Sequence, residues 1–509
     1  MQDCNKGKQK KHQLSWRLWH KWAGILFAFF ILMFCFSGIV LNHRRAFSSI
    51  DVSRSWLPDG YEIRSWNQGV IKGTLPYTFA DGKRMLIVYG QTGVWLTDSL
   101  LQGWSDFNKG IKDGVDNRKI ANVVTTGDSS LWCTGLYDVY RYDAVKRRWQ
   151  TVEIPDNDER VTDVTVRGKD TIAVLTRSKV YIATAPHYTF RDITLQAPTD
   201  YNNKVSLFRM VWLLHSGELF GLTGQLVVDI IAVVLIILCV TGIAFFILRH
   251  TIRHSKNKKR QGGWMRWNLK WHNKIGVYSI VLTMLLAITG WCLRPPLMIP
   301  LAMTRVSPIP GTTQGGDNVF HDKLRAIRWN ASTQSWLLCT SEGFYSIGED
   351  IATAVPQHIE GAPSISPMGI NVFCQNPAAE DEWLVGSFSG LVSWNPATGE
   401  QTDWFTGKVP QQASRGKSID GHAVTGWTND LTCTDGIPVV FEYMGVPNVS
   451  LPEMPEVLKS QPISLWNLAL EIHTGRCYPF MTAMASMLFI FISGLVLTLI
   501  LWSGYRIRN

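Results

Sequence analysis

Residues 19–42 read WHKWAGILFAFFILMFCFSGIVLN, and residues 271–290 read WHNKIGVYSIVLTMLLAITG. Each opens on Trp-His, and each has a glycine eighteen residues after that histidine, Gly38 in one and Gly290 in the other. An apolar run follows each histidine. A bilayer's hydrocarbon core takes about 20 apolar residues to cross as a helix. Segments 23–42, 226–248, 275–293 and 481–502 meet that length, and Asp229 is their only acidic or basic residue. Four such runs predict a four-helix transmembrane bundle in place of buried core helices.

The charges orient it. Six basic residues precede the first run, nine lie between the second and third, and two follow the fourth. With Asp3 as the lone acid there, these pieces carry +16; the whole chain carries +10, so the remainder carries −6. Basic residues stay on the cytoplasmic side. Residues 1–22, 249–274 and 503–509 are therefore expected inside, and loops 43–225 and 294–480 in the periplasm of a bacterial inner membrane. The positive charge is spent on topology and lipid contact, and no nucleic-acid partner is expected. Tryptophans at the run ends, among them Trp19, Trp22, Trp264, Trp267, Trp271 and Trp502, form the aromatic belt of a lipid interface. The charged lead is long and VLNHRR offers no small-residue cleavage site, so the first run reads as a retained anchor.

The chain repeats itself at its other membrane edge. HSG at 215–217 is answered by HTG at 473–475, and each precedes a run with a small-Gly pair, Thr241-Gly242 and Ser493-Gly494. Each half is thus run, long loop, run, in the same direction. Parallel repeats imply a pseudo-twofold axis along the membrane normal. The glycines read as sites of close helix packing.

The loops read as β structure, with alternating apolar runs between turn residues. Hairpins centred on Gly93, Asp138 and Ser178 in the first loop, and on Gly343, Gly390 and Gly436 in the second, recur at 40–47 residues. That period is one four-stranded propeller blade. Three blades per loop would close one six-bladed β-propeller; the alternative is two separate β-sandwich-like domains.

Equivalent residues face each other across a twofold axis. His20 and His272 are equivalent at the inner edge, and His215 and His473 at the outer edge. Two opposed imidazoles at one depth supply the axial ligands of a haem iron. Two pairs would hold two haem b groups, one near each face. His43 lacks a repeat mate, since Pro295 stands at its counterpart. It is a further outer ligand or a neighbour of the substrate. Arg44, Arg45, Arg294 and Arg476 outside, with Lys21 and Lys274 inside, could meet haem carboxylates. His250 and His254 lie in a basic run and are not assigned a role.

These motifs resemble the PepSY-associated transmembrane family, which includes bacterial ferric-siderophore reductases. The resemblance rests on LWHKWAGILFAFFILMFCFSGIVLNHR, LLHSGELFGLTGQLVVDIIAVVLIILCVTGI, WHNKIGVYSIVLTMLLAITG and EIHTGR, about a quarter of the chain. It implies haem held by interfacial histidines, here His20, His272, His215 and His473, with His43 as a further candidate. It also implies reduction of a ferric siderophore or other ferric chelate, with iron passed on to uptake proteins. The blade-like loops depart from the family's pattern. The electron donor, cytoplasmic or quinol, must be separate, because no GxGxxG follows a strand. The rival reading is a membrane-anchored propeller sensor or binding module without redox activity. Cysteines show no CxxC or CxxCH, and the odd number outside leaves room for one disulfide.

Overall fold

The computed structural model describes residues 2–155, 159–254, 257–366, 369–410, 422–443, 445, 448–478 and 481–508. Two units emerge from the chain's contacts: residues 1–47, 203–316 and 465–509 form a helical unit, and residues 48–202 and 317–464 form a β unit.

The helical unit contains α1 (Gln2–Asn42), α2 (Arg44–Phe47), α3 (Leu207–Ser216), α4 (Gly221–Thr251), α5 (Lys258–Tyr278), α6 (Ile280–Cys292) and α7 (Met298–Met303). A short α8 (Glu456–Lys459) belongs to the β unit, and α9 (Leu465–His473) and α10 (Ala483–Arg508) complete the helical one. Among the described residues, stretches of α1, α10 and the helix ending at Thr251 are each long and apolar enough to cross a membrane. The third run is not one straight helix: α5 and α6 meet at 67°. Ser279 sits at the break, its hydroxyl donating to Ile275 O (2.9 Å), while the Thr283 hydroxyl donates to Ser279 O (3.0 Å). Such back-bonding bends helices. α1 packs against α4, α9 and α10, and α6 against α10. Ala23, Ile31, Cys35, Ala232, Leu235 and Ile500 form the seam. Leu26, Phe29, Ile230, Val233, Val281 and Leu488 stay exposed, as suits helices whose outer faces meet lipid.

His215 and His473 lie on short helices of their own, α3 and α9, and not on the long ones. In each case the glycine two residues on is left-handed: Gly217 has φ 84° and Gly475 φ 74°. A left-handed residue at this position stops a helix at little cost only when it is glycine. The HSG and HTG motifs therefore end a helix just after its histidine.

The β unit is built from five four-stranded antiparallel meanders, residues 73–106, 123–152, 161–193, 324–358 and 370–403, and a two-stranded sheet, 424–442. Gly93, Asp138, Ser178, Gly343 and Gly390 each fall at the turn between, or the start of, the second and third strands of a meander, and Gly436 falls between the two strands of the last sheet. The first strand of each sheet touches the first strand of the next, and Val424–Thr428 touches Gly73–Thr78. Polar bonds stitch these joints. Tyr89 donates to Asn122 (2.8 Å) and Asn122 to Val164 O (2.9 Å). Ile327 N donates to Asp163 (3.0 Å) and Arg328 to Phe373 O (2.7 Å). Asn371 donates to Val424 O (2.8 Å), and Trp427 N to Lys72 O (3.2 Å). Trp132, Trp149, Trp336 and Trp394 fill the spaces between strands. All eight cysteines described are free thiols, so the room left for a disulfide goes unused.

Candidate functional site

The helices bring the four repeat-matched histidines together two by two. His20 on α1 faces His272 on α5, with ring centres 6.2 Å apart. His215 on α3 faces His473 on α9, with ring centres 6.3 Å apart. Ser37, which touches His473, stands 17 residues beyond His20 on the unbroken α1, so the pairs lie about 26 Å apart along that helix.

Every ring is held in the same way. The Nδ1 of His473 bonds the Ser37 hydroxyl (3.0 Å), that of His272 the Thr241 hydroxyl (2.9 Å), that of His215 the Thr289 hydroxyl (3.2 Å) and that of His20 the Ser503 hydroxyl (3.1 Å). Each hydroxyl has already given its own proton to its helix: Ser37 to Met33 O, Thr241 to Ile237 O, Thr289 to Leu285 O and Ser503 to Ile500 O. The hydroxyl oxygens can therefore only accept, which places the ring proton on Nδ1. Backbone carbonyls add to this at His20 (Ile500 O, 3.0 Å) and His473 (Phe34 O, 3.1 Å). Nε2 keeps its lone pair in all four rings. A hydrogen bond from one ring nitrogen that fixes the tautomer is the usual support of a metal-binding imidazole.

A glycine follows each of these hydroxyl residues, and it is the floor of the ring's seat. A Cβ added to Gly38, Gly242, Gly290 or Gly504 would meet Cε1 of His473, His272, His215 or His20 at 3.5, 3.6, 2.7 and 3.0 Å respectively. The small-Gly pairs thus serve the histidines as well as helix packing. One pairing made from the sequence needs correcting. Ser493-Gly494 is not the counterpart of Thr241-Gly242: a Cβ added to Gly494 would meet the Trp291 side chain at 2.9 Å, and Ser503-Gly504 seats the histidine.

Each seat belongs to the opposite half of the chain from its histidine. His20 and His215 of the first half rest on α10 and α6, and His272 and His473 of the second rest on α4 and α1.

His43 pairs with a carboxylate and not with another histidine. Its Nε2 is 2.5 Å from Asp229 Oδ2, and Asn42 donates to Asp229 (3.3 Å) and to Ser216 O (3.0 Å). The one acid in the membrane runs thus takes up the nitrogen that a metal would need. His250 and His254 also lie 6.4 Å apart, but both are exposed and, among the described residues, no hydroxyl orients them. At the rim, Arg44 stacks on Trp466 (3.7 Å) and Arg476 pairs with Glu471. Lys21 and Lys274 lie over Trp22 and Trp271, and Arg45 is exposed. Arg294 differs: its guanidinium has no partner among the described residues, lies within electrostatic reach of His215 and His473, and is pushed below its usual pKa by burial and by Arg476.

The residues fit a haem. A metal–imidazole bond is about 2.0–2.1 Å long, so two imidazoles on opposite sides of one ion set their ring centres roughly 6 Å apart. Both pairs show that spacing. No group of three or more metal-binding side chains occurs among the described residues. Two imidazoles suffice when a macrocycle supplies the remaining ligands. Arg294 sets a cation beside the outer pair.

The family model of the PepSY-associated TM region matches residues 4–249 and 223–315. Comparison with curated proteins finds no match. Among solved structures, two extracellular domains from B. thetaiotaomicron are similar, one assigned to a hybrid two component system and one to a one component system. They share 9% and 8% identity at TM-scores of 0.36 and 0.34, over 77% and 76% of this chain and 40% and 39% of theirs. This chain therefore spans about two fifths of their length. Kluyveromyces lactis Hsv2 shares 10% identity at a TM-score of 0.26, over 73% of this chain and 89% of its own. At such TM-scores the fold reading rests on the strand pairings of the chain itself.

Proposed function

The chain belongs to the family of the PepSY-associated TM region, and from that premise we propose that it is an inner-membrane haem b oxidoreductase that reduces ferric chelates. The observation that carries this is the repeated seat: four rings, four hydroxyls and four glycines, arranged as two opposed pairs. His20 and His272 would hold one haem, and His215 and His473 the other. Bound there, haem supplies a reversible one-electron carrier within an insulating bilayer. The protein keeps Nε2 unprotonated at each ring, fixes each ring's orientation from the opposite half, and places the unpaired Arg294 where a haem carboxylate would sit. No side chain is asked to move a proton.

In this reading the six sheets are blades of one propeller, three from each loop, and the positive-inside bias places them in the periplasm. The donor is a cytoplasmic reductant or quinol. The acceptor is a ferric siderophore or another ferric chelate. Reduction loosens hard oxygen ligands from iron, because Fe(II) is less charged and softer, and the released ion is available to iron-uptake proteins.

A dithionite-reduced minus oxidised spectrum of the purified chain should show haem b at about two per chain. Proteoliposomes loaded with reductant should yield Fe(II), trapped by a ferrous chelator outside. Colourless protein after expression with ample haem would leave the membrane-anchored binding module as the function. His272→Ala should remove one haem and spare the other; retention of both would break the inner pairing.

A further inference from the structure

Where the first strands of the six sheets meet, they enclose a cavity with about 740 Å³ of empty space, continuous with solvent. Its walls are polar and charged. Lys72, Arg325 and Arg328 line it against two carboxylates, Asp163 and Asp430. The other titratable groups on its walls are Tyr89 and Cys374. Burial raises both, Cys374 to about 12, so both are neutral at pH 7. One positive charge is therefore left over.

The hydrogen bonds locate that charge. Asp163 is taken by the Arg328 guanidinium and by Ile327 N. Asp430 accepts from the Thr74 hydroxyl at 2.5 Å. Arg325 donates to Asp322 O and Leu324 O, both at 2.9 Å. Lys72 Nζ has no partner among the described residues, and the buried Nε1–H of Trp427 also finds no acceptor. Two donors, one of them charged, thus line one cavity without an acceptor. That cost falls on the Trp427 N–H, which is sealed from water, while the half-buried Lys72 amine lines a cavity open to solvent.

We infer that this cavity is a binding site for a small oxyanion, a carboxylate or phosphate group, held on Lys72 with Trp427 as a second donor. Burial lowers the Lys72 pKa from 10.5 to about 8, with Asp163 pulling it up and Arg328 pushing it down. An anion that binds the protonated amine restores its charge, and by linkage its affinity depends on pH. The site does not depend on the haem reading, and its test reads no redox signal.

The experiment is calorimetric titration of the full chain in detergent with citrate and, separately, inorganic phosphate. Either anion should bind. Affinity should hold below pH 8 and fall by up to about tenfold per pH unit above it, as the amine loses its proton. Lys72→Met should weaken binding at least tenfold while its melting temperature equals or exceeds that of the parent, since a buried charge has been removed. Binding by citrate alone marks the ligand as a carboxylate, and by phosphate alone as a phosphate. Failure of both anions, or equal binding by the methionine variant, overturns the proposal.

Discussion

At Gly290 and Gly504 there is no room for a methyl group: it would stand 2.7 and 3.0 Å from an imidazole carbon. At Gly38 and Gly242 the same methyl would make an ordinary contact, at 3.5 and 3.6 Å. Alanine at the four positions should therefore have graded effects. Gly290→Ala should cost the outer haem and Gly504→Ala the inner one, whereas Gly38→Ala and Gly242→Ala should keep both, as read from the haem-to-protein ratio. Uniform effects at all four would mean that helix packing, and not the ring's seat, selects these glycines. The histidines were legible in the sequence because repeat equivalence implies facing. The seats were not, because each joins residues of opposite halves, from 31 to 483 positions apart. Spacing within one half pointed to Ser493-Gly494, while α10 meets His20 ten residues further along, at Ser503-Gly504. His43 was ambiguous for a similar reason: only the fold brings Asp229 to its Nε2.

At the scale of the element, the short helices α3 and α9 aim the outer histidines, and their left-handed caps fix where each helix ends. Gly217→Ala meets two penalties. It forces a side chain to φ 84°, and its Cβ would lie 2.3 Å from Gly224 O. Gly221→Ala meets only the first, at φ 61° with open space around it. Thermal unfolding should show Gly221→Ala destabilised by about 1 kcal/mol and Gly217→Ala by distinctly more, with loss of the outer haem. Equal shifts would mean that the backbone contact relaxes freely. Hydropathy located the apolar runs, three of which form helices long enough to cross a membrane, because partition into lipid depends on composition. It could not show the 67° break at Ser279, because composition carries no direction. The blade-like period in the loops was legible from turn residues; the polar stitches between sheets were not, since side chains make them across separate hairpins.

At the scale of the whole molecule, the charge bias makes a claim about sidedness that labelling can check. Val145 is 94% exposed in the β unit, and Lys259 is exposed in the first turn of α5. A membrane-impermeant maleimide should label Val145→Cys once the outer membrane is opened, and Lys259→Cys only after the inner membrane is breached. The reverse pattern would invert the topology and, with it, the direction of electron flow. The reciprocal seating of the rings reaches further. The first half alone contains His20, Ser37-Gly38, His215 and Thr241-Gly242, which is one of every part. Two copies of such a half, related by a true dyad, would make all four contacts that the duplicated chain makes. A homodimer of such a two-span half would thus present both opposed histidine pairs.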